Sequence, residues 1–359
     1  MEIRNNTFLS DGIAIGLSPS RQPCLSVIVK GTFKIPAQPG GAVEPAAVQW
    51  PVVTEDEYYH GDVTGSVRIE SDAVPFKPRT DVVVVGQAHA PGGDPVRQLD
   101  VSLRIGRTLR EVVRVFGDRQ WDFPSRMAVV PRITDPAPFV QMPLVYERAF
   151  GGMDYKASKW CASNFIGKGF IGHKSKESID QKPLPNLEHP RNLIQSWDDQ
   201  PQPVGFGFYR KDWQPRSGYV GTLEGQENGD EEFGLPSDFQ FDFFNGAAPR
   251  LQVPGELNGT EKVELRHFTP EEYRQFTLPG LHPQVTVTRS SALKPLSEEV
   301  SATQSVETEA IPMRLDTLVI LPDEEQFYLV WRGHTPILDP GLSLERFRDI
   351  NIQMGTRNQ

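Results

Sequence analysis

Cysteine is nearly missing from this chain. Two occur among 359 residues, Cys24 and Cys161, far apart and with neither a neighbouring thiol nor a metal-type spacing. A secreted disulfide scaffold is therefore not expected, and a reducing compartment is. Positive charge is short too: 37 Lys and Arg face 47 Asp and Glu, for a formal net charge of −10. That sign argues against binding a phosphate backbone, so no nucleic-acid partner is expected. No run approaches the ~18 apolar residues of a membrane helix. The opening residues MEIRNNTFLSDG lack an apolar export region. The expectation is no membrane partner and a cytoplasmic location.

Catalytic signatures are also scarce. There is no G-x-x-x-x-G-K-[ST], no G-x-S-x-G, no H-E-x-x-H and no calcium-loop pattern. GKGFIG (167–172) matches G-x-G-x-x-G by letter, but the preceding WCASNFI makes a poor strand and Pro183 stops any helix that follows. Turn glycines are the better reading. EDEYYHGD (55–62) gathers acids around His60, as a solvated loop also would. Asp238, Asp242 and Glu256 flank aromatic residues, as in some sugar sites, which keeps a carbohydrate-active β-sandwich enzyme or lectin as the alternative. With no catalytic constellation, the chain is not expected to be an enzyme, and no cofactor or metal is expected.

Punctuation is abundant instead. Gly (31) and Pro (32) together exceed the ~12 % share usual for globular chains, without a repeat. Frequent turns suit many short strands. PCLSVIVKGTFKI (23–35) and DVVVVGQAHA (81–90) read as strands, the second buried on both faces. LDVSLRIG (99–106) alternates apolar and polar residues, and REVVRVFGDRQWDF (110–123) reads as two strands about a Gly117-Asp118 turn. Residues 150–260 lose periodicity and gain Gly, Pro and Trp (Trp160, Trp197, Trp213), as an irregular region pinned by aromatics would. PQVTVTRS (283–290) is a further strand, residues 290–310 read as an exposed insertion, and RLDTLVILPDEEQFYLVWRGH (314–334) reads as a hairpin. TPEEYRQF (269–276) has a capping box, Thr269 with Glu272, and predicts a short helix; LSLERFRD (342–349) could be another. The expected fold is mainly β: antiparallel sheets, sandwich or barrel-like, with few short helices and long Gly/Pro/aromatic-rich loops. Two lobes are expected, 1–140 and 141–359, unless they form one intertwined domain.

FQFDFFNGAAP (239–249) packs four Phe into six residues. Alternation predicts a strand with Phe239, Phe241 and Phe243 in the core, and a loop from Phe244 and Asn245 onward. The segment that contains it, LPSDFQFDFFNGAAPRLQVPGELNGTE (235–261), with MPLVYERAFGGMD (142–154), SNFIGKGF (163–170), LPNLEHP (184–190), PVGFGFYRKDWQPR (203–216) and the 314–333 hairpin, resembles a bacterial domain-of-unknown-function family found beside type VI secretion genes. The likeness runs from about residue 4 to 335. It differs in Asn164-Phe165, where the family usually has Asn-Pro, and in a longer 290–310 segment. The resemblance implies an adaptor or chaperone that binds a type VI effector, a PAAR-like spike-tip protein, or both, and loads them onto the spike. Tyr146, Arg148, Phe244, Asn245, Trp331 and Arg332 are then the candidate partner-binding residues, Trp and Arg being favoured interface anchors.

Overall fold

The computed structural model describes residues 1–222, 235–290, 306–338 and 344–355. Three sheets organise them. The largest has six strands in the order Gln252–Val253, Thr80–Val84, Arg314–Leu321, Gln326–Pro336, Pro23–Lys34 and Ser10–Leu17. Its middle strands are apolar without a break because both of their faces are covered. Every residue of Thr80–Val84 is buried, as the run of four Val predicts. The 314–336 hairpin forms as expected, with Leu318 facing Leu329 across the ladder. Thr80–Val84 runs parallel to Arg314–Leu321, and strands from both sides of residue 140 share this sheet.

A five-stranded antiparallel sheet lines up Leu187–Glu188, Leu109–Phe116, Gln98–Ile105, Lys262–Arg266 and Tyr273–Thr277. The two sheets meet through stacked rings: Phe276 of the second lies 4.8 Å from Phe327 of the first, which lies 5.3 Å from Phe33. Burying each such ring contributes about 1.5–3 kcal/mol, so this seam is a major cohesive element. A four-stranded sheet, Glu2–Asn5, Phe347–Met354, Pro283–Ser290 and Val306–Ile311, brings the two ends of the chain together. One apolar core runs through all three sheets. A second, smaller core is built by Trp121, Phe150, Phe170, Ile171, Ile179, Leu184 and Ile194. No helix among the described residues is long and apolar enough to cross a membrane.

Several local expectations fail for identifiable reasons. TPEEYRQF is not a helix: Tyr273–Thr277 is a strand paired with Lys262–Arg266. Glu272, the intended third helical residue, sits at φ +60°, and its amide closes a turn onto the Thr269 carbonyl. The alternation of Arg274 and Phe276 inward against Tyr273 and Gln275 fits a sheet, and cross-strand pairing outweighs the cap. Phe347–Met354 is likewise a strand rather than a helix, and 342–343 lie outside the described residues.

The two strands of 110–123 exist but do not pair with each other. Leu109–Phe116 joins Gln98–Ile105 and Leu187–Glu188, while Trp121–Asp122 pairs with Arg132–Ile133. Of the 290–310 insertion, 291–305 lie outside the described residues, and Val306–Ile311 is an exposed edge strand. The four-Phe stretch is a 3₁₀ turn at Phe241–Phe244, not a strand. Its rings pack on one another, 5.4 Å between Phe239 and Phe241 and 5.6 Å between Phe239 and Phe244. Only Phe239 is buried; Phe241, Phe243 and Phe244 are half-buried. No neighbouring strand offers this segment a ladder, so ring-on-ring contact sets its shape.

Candidate functional site

The six candidate partner-binding residues separate into two groups. Tyr146, Asn245, Trp331 and Arg332 lie inside the protein and offer no surface. Trp331 sits in the core-sheet strand Gln326–Pro336 at 2 % exposure. Arg332 pairs with buried Asp316 at 2.7 Å and donates to the carbonyls of Asp72 and Val74. Tyr146 packs edge-on against Tyr209 and Trp213, at 5.4 and 5.2 Å. Asn245 donates to the Arg79 carbonyl and to Asp81, whose other carboxylate oxygen accepts from the Gly246 amide and from Lys77. Residue 246 has to be glycine, because an added Cβ would collide with the Glu70 carboxylate. Phe244 and Arg148 remain half-exposed.

The irregular middle of the chain is held together by these side chains. Asn164 is fully buried and donates to the carbonyls of Tyr146 and Phe150, tying residues 163–170 to 142–154. Asn186 donates to the Phe116 carbonyl and accepts from Arg148 at 3.1 Å, adding residues 184–190. Arg216 pairs with Glu70 at 2.5 Å and donates to the carbonyls of Tyr209 and Phe243, adding the last two segments. Without ladders to satisfy their backbone, loops rely on such side-chain bonds. Glu147 and Arg148 do not pair with each other: Glu147 accepts from the Ser66 amide and hydroxyl, both at 2.7 Å.

Arg148 also lines a cleft of about 810 Å³, with Arg68, Lys168, Asp118, Glu147 and Glu324 among its walls. Its charges neutralise one another. Asp118 lies 3.5 Å from Lys168 and 3.7 Å from Arg148, while Arg68 reaches Glu324 at 2.5 Å. A hydrogen bond from Asn186, with these two cations, holds the Asp118 carboxyl below its usual range against some desolvation. Burial lowers the Lys168 ammonium below its usual range and Arg148 adds to this, although Asp118 opposes both. Tyr59 is the aromatic residue among its walls. Among the described residues no group of three or more His, Cys, Asp or Glu could hold a metal ion.

The surface of the second core has a different character. The loop SRMAVVP (125–131) exposes Met127 (92 %), Val129 (90 %) and Val130 (77 %), and the short hairpin of Met153–Asp154 and Lys159–Trp160 exposes Tyr155 (86 %) and Trp160 (59 %). Each other large apolar side chain among the described residues is less exposed than these first four. Lys176 anchors the loop by donating to the carbonyls of Arg126 and Ala128. Asp154 anchors the hairpin by accepting from the amides of Gly172 and His173. Four residues of chain span at most about 14 Å, so both apolar segments are fastened at neighbouring points. Sequence reasoning missed the loop, because Met-Ala-Val-Val between polar residues and Pro131 looks like one more buried strand.

A family model described as "Uncharacterized protein conserved in bacteria (DUF2169)" matches residues 20–332. The chain belongs to that family. The matched span holds the second core and the cleft that Arg148 lines, and leaves out the strands Glu2–Asn5, Ser10–Leu17 and Phe347–Met354, which give Ala14, Ile350 and Ile352 to the large core. No curated protein and no solved structure matches the chain.

Proposed function

We propose that this protein is a cytoplasmic type VI secretion adaptor or chaperone. It binds an effector, a PAAR-like spike-tip protein, or both, and loads them onto the spike. The resemblance of residues 142–154, 163–170, 184–190 and 235–261 supplies the secretion context. The observation that supports a docking role is the high exposure of Met127, Val129 and Val130 on one loop and of Tyr155 and Trp160 on a hairpin. Runs of apolar side chains this exposed mark partner surfaces. A stable complex there would bury roughly 1,200–2,000 Å² in total. The residues that resemble interface anchors in sequence instead shape the scaffold that presents this surface.

A tagged pull-down from the native bacterium, with mass spectrometry of stoichiometric partners, tests the reading. Recovery of a PAAR-like protein or a toxin is the expected result. A protein recovered alone from cells firing the apparatus overturns it.

A further inference from the structure

A second cleft, about 500 Å³, contains an anomaly of strand patterning. Along Leu109–Phe116 the inward positions are Leu109, Glu111, Val113 and Val115. Three are apolar, as a core face requires. The fourth is an acid at 3 % exposure, directly across the ladder from fully buried Leu103. The Glu111 carboxylate ends in this cleft, whose apolar walls include Pro203, Val204, Pro215, Ala248 and Pro249.

One positive group lines the cleft, Arg250. Its Nε donates to Glu111 Oε2 at 3.0 Å and its terminal nitrogen meets His189 Nε2 at 2.9 Å. Burial, with Arg250 and Arg191, pushes the His189 imidazole below its usual value, and its Nδ1 accepts from the Arg191 amide. The Arg250 side chain is itself 58 % exposed and comes from a turn at the cleft mouth, Pro249–Leu251. The cation is therefore peripheral and replaceable, while the carboxylate is fixed by its strand. Burial raises the Glu111 carboxyl above its usual range in spite of Arg250, so the acid is incompletely compensated. An inward acid in an apolar cleft is costly unless paired.

We propose that this cleft is a binding site for a guanidinium side chain, and that Arg250 occupies it as a displaceable stand-in. The incoming group pairs with Glu111 in place of Arg250, and its methylene stem packs on the proline and alanine walls. The site is independent of the exposed apolar surface and does not require the secretion reading.

The probe is N-acetyl-arginine methylamide, with the isosteric neutral citrulline derivative as its control, titrated calorimetrically into the full-length protein at pH 7. Removing the stand-in by Arg250→Ala is expected to tighten arginine-derivative binding at least ten-fold, and Glu111→Gln in that background to abolish it. If Arg250→Ala fails to fold, Arg250→Gln serves the same purpose. Absence of saturable binding to the folded Arg250 variant, equal binding of the citrulline derivative, or affinity unchanged by Glu111→Gln each overturns the proposal.

Discussion

The two cores of this protein differ in how they treat their surfaces. The large core locks its polar groups in pairs: Lys30 with Asp72, Lys77 with Asp81, Glu70 with Arg216 and Asp316 with Arg332, all at 2.8 Å or closer and all buried. Breaking such a pair leaves an uncompensated buried charge, whereas the intact pair adds little net stability, so its value is in fixing one arrangement of irregular chain. The small core has a buried pair of its own, Arg119 with Glu188, which accepts from the Ile194 amide. Its loop and hairpin, by contrast, leave Met, Val, Tyr and Trp largely exposed. Conspicuous residues can thus be scaffold, while an inconspicuous stretch such as MAVV presents the surface.

That contrast can be broken from the large-core side first. Trp331→Ala removes a fully packed ring between Val29 and Leu315 in the ladder and should cost about 3–5 kcal/mol. Denaturant midpoints measure this; a loss below about 1 kcal/mol with weakened partner capture would return Trp331 to the interface. Next, Asn164→Ala takes the Asn164 donor from the Phe150 carbonyl and one of two donors from the Tyr146 carbonyl, and should cost about 1–3 kcal/mol, seen as a lower Tm. A neutral result would mean that the loops around residues 142–170 hold themselves.

Glu111→Gln has a smaller effect with a distinctive pH dependence. Because burial raises the folded carboxyl above its ordinary 4.5, with Arg250 opposing, the folded protein binds this proton more tightly than the unfolded chain. Its contribution to stability is present in full below pH 4.5 and is lost as pH rises through the folded value. Gln does not titrate, so the variant's Tm should gain on that of the native protein as pH rises from about 4 to 7. A difference that is flat or falls with pH contradicts an inward, under-compensated acid.

Much of the fold is readable from residues. The Val82–Val85 run, the alternation of 99–106 and the 314–336 hairpin announce strands because ladder and burial agree with local pattern. Thr269–Glu272 misleads because a good cap is only local, and the chain pairs Tyr273–Thr277 with a strand instead. The local hairpin that Gly117-Asp118 suggests is likewise replaced by other pairings, Leu109–Phe116 with Gln98–Ile105 and Leu187–Glu188, and Trp121–Asp122 with Arg132–Ile133. The exposed surface is the least legible element: what separates Val129 from Val82 is not its type but whether other chain covers it. Glu111 is the exception, since an acid among Leu109, Val113 and Val115 departs from the pattern in the sequence itself.

The smallest expected effect on stability belongs to the small-core surface and bears on the central claim. Met127→Asp with Val129→Asp changes side chains that are 92 % and 90 % exposed, so stability should stay within about 0.5 kcal/mol of the native value. The decisive measurement is co-purification of the tagged double variant beside the native protein from the same bacterium, with Tm recorded for both. The account predicts an unchanged Tm and loss of the stoichiometric partner. Undiminished capture by the well-folded double variant would contradict it.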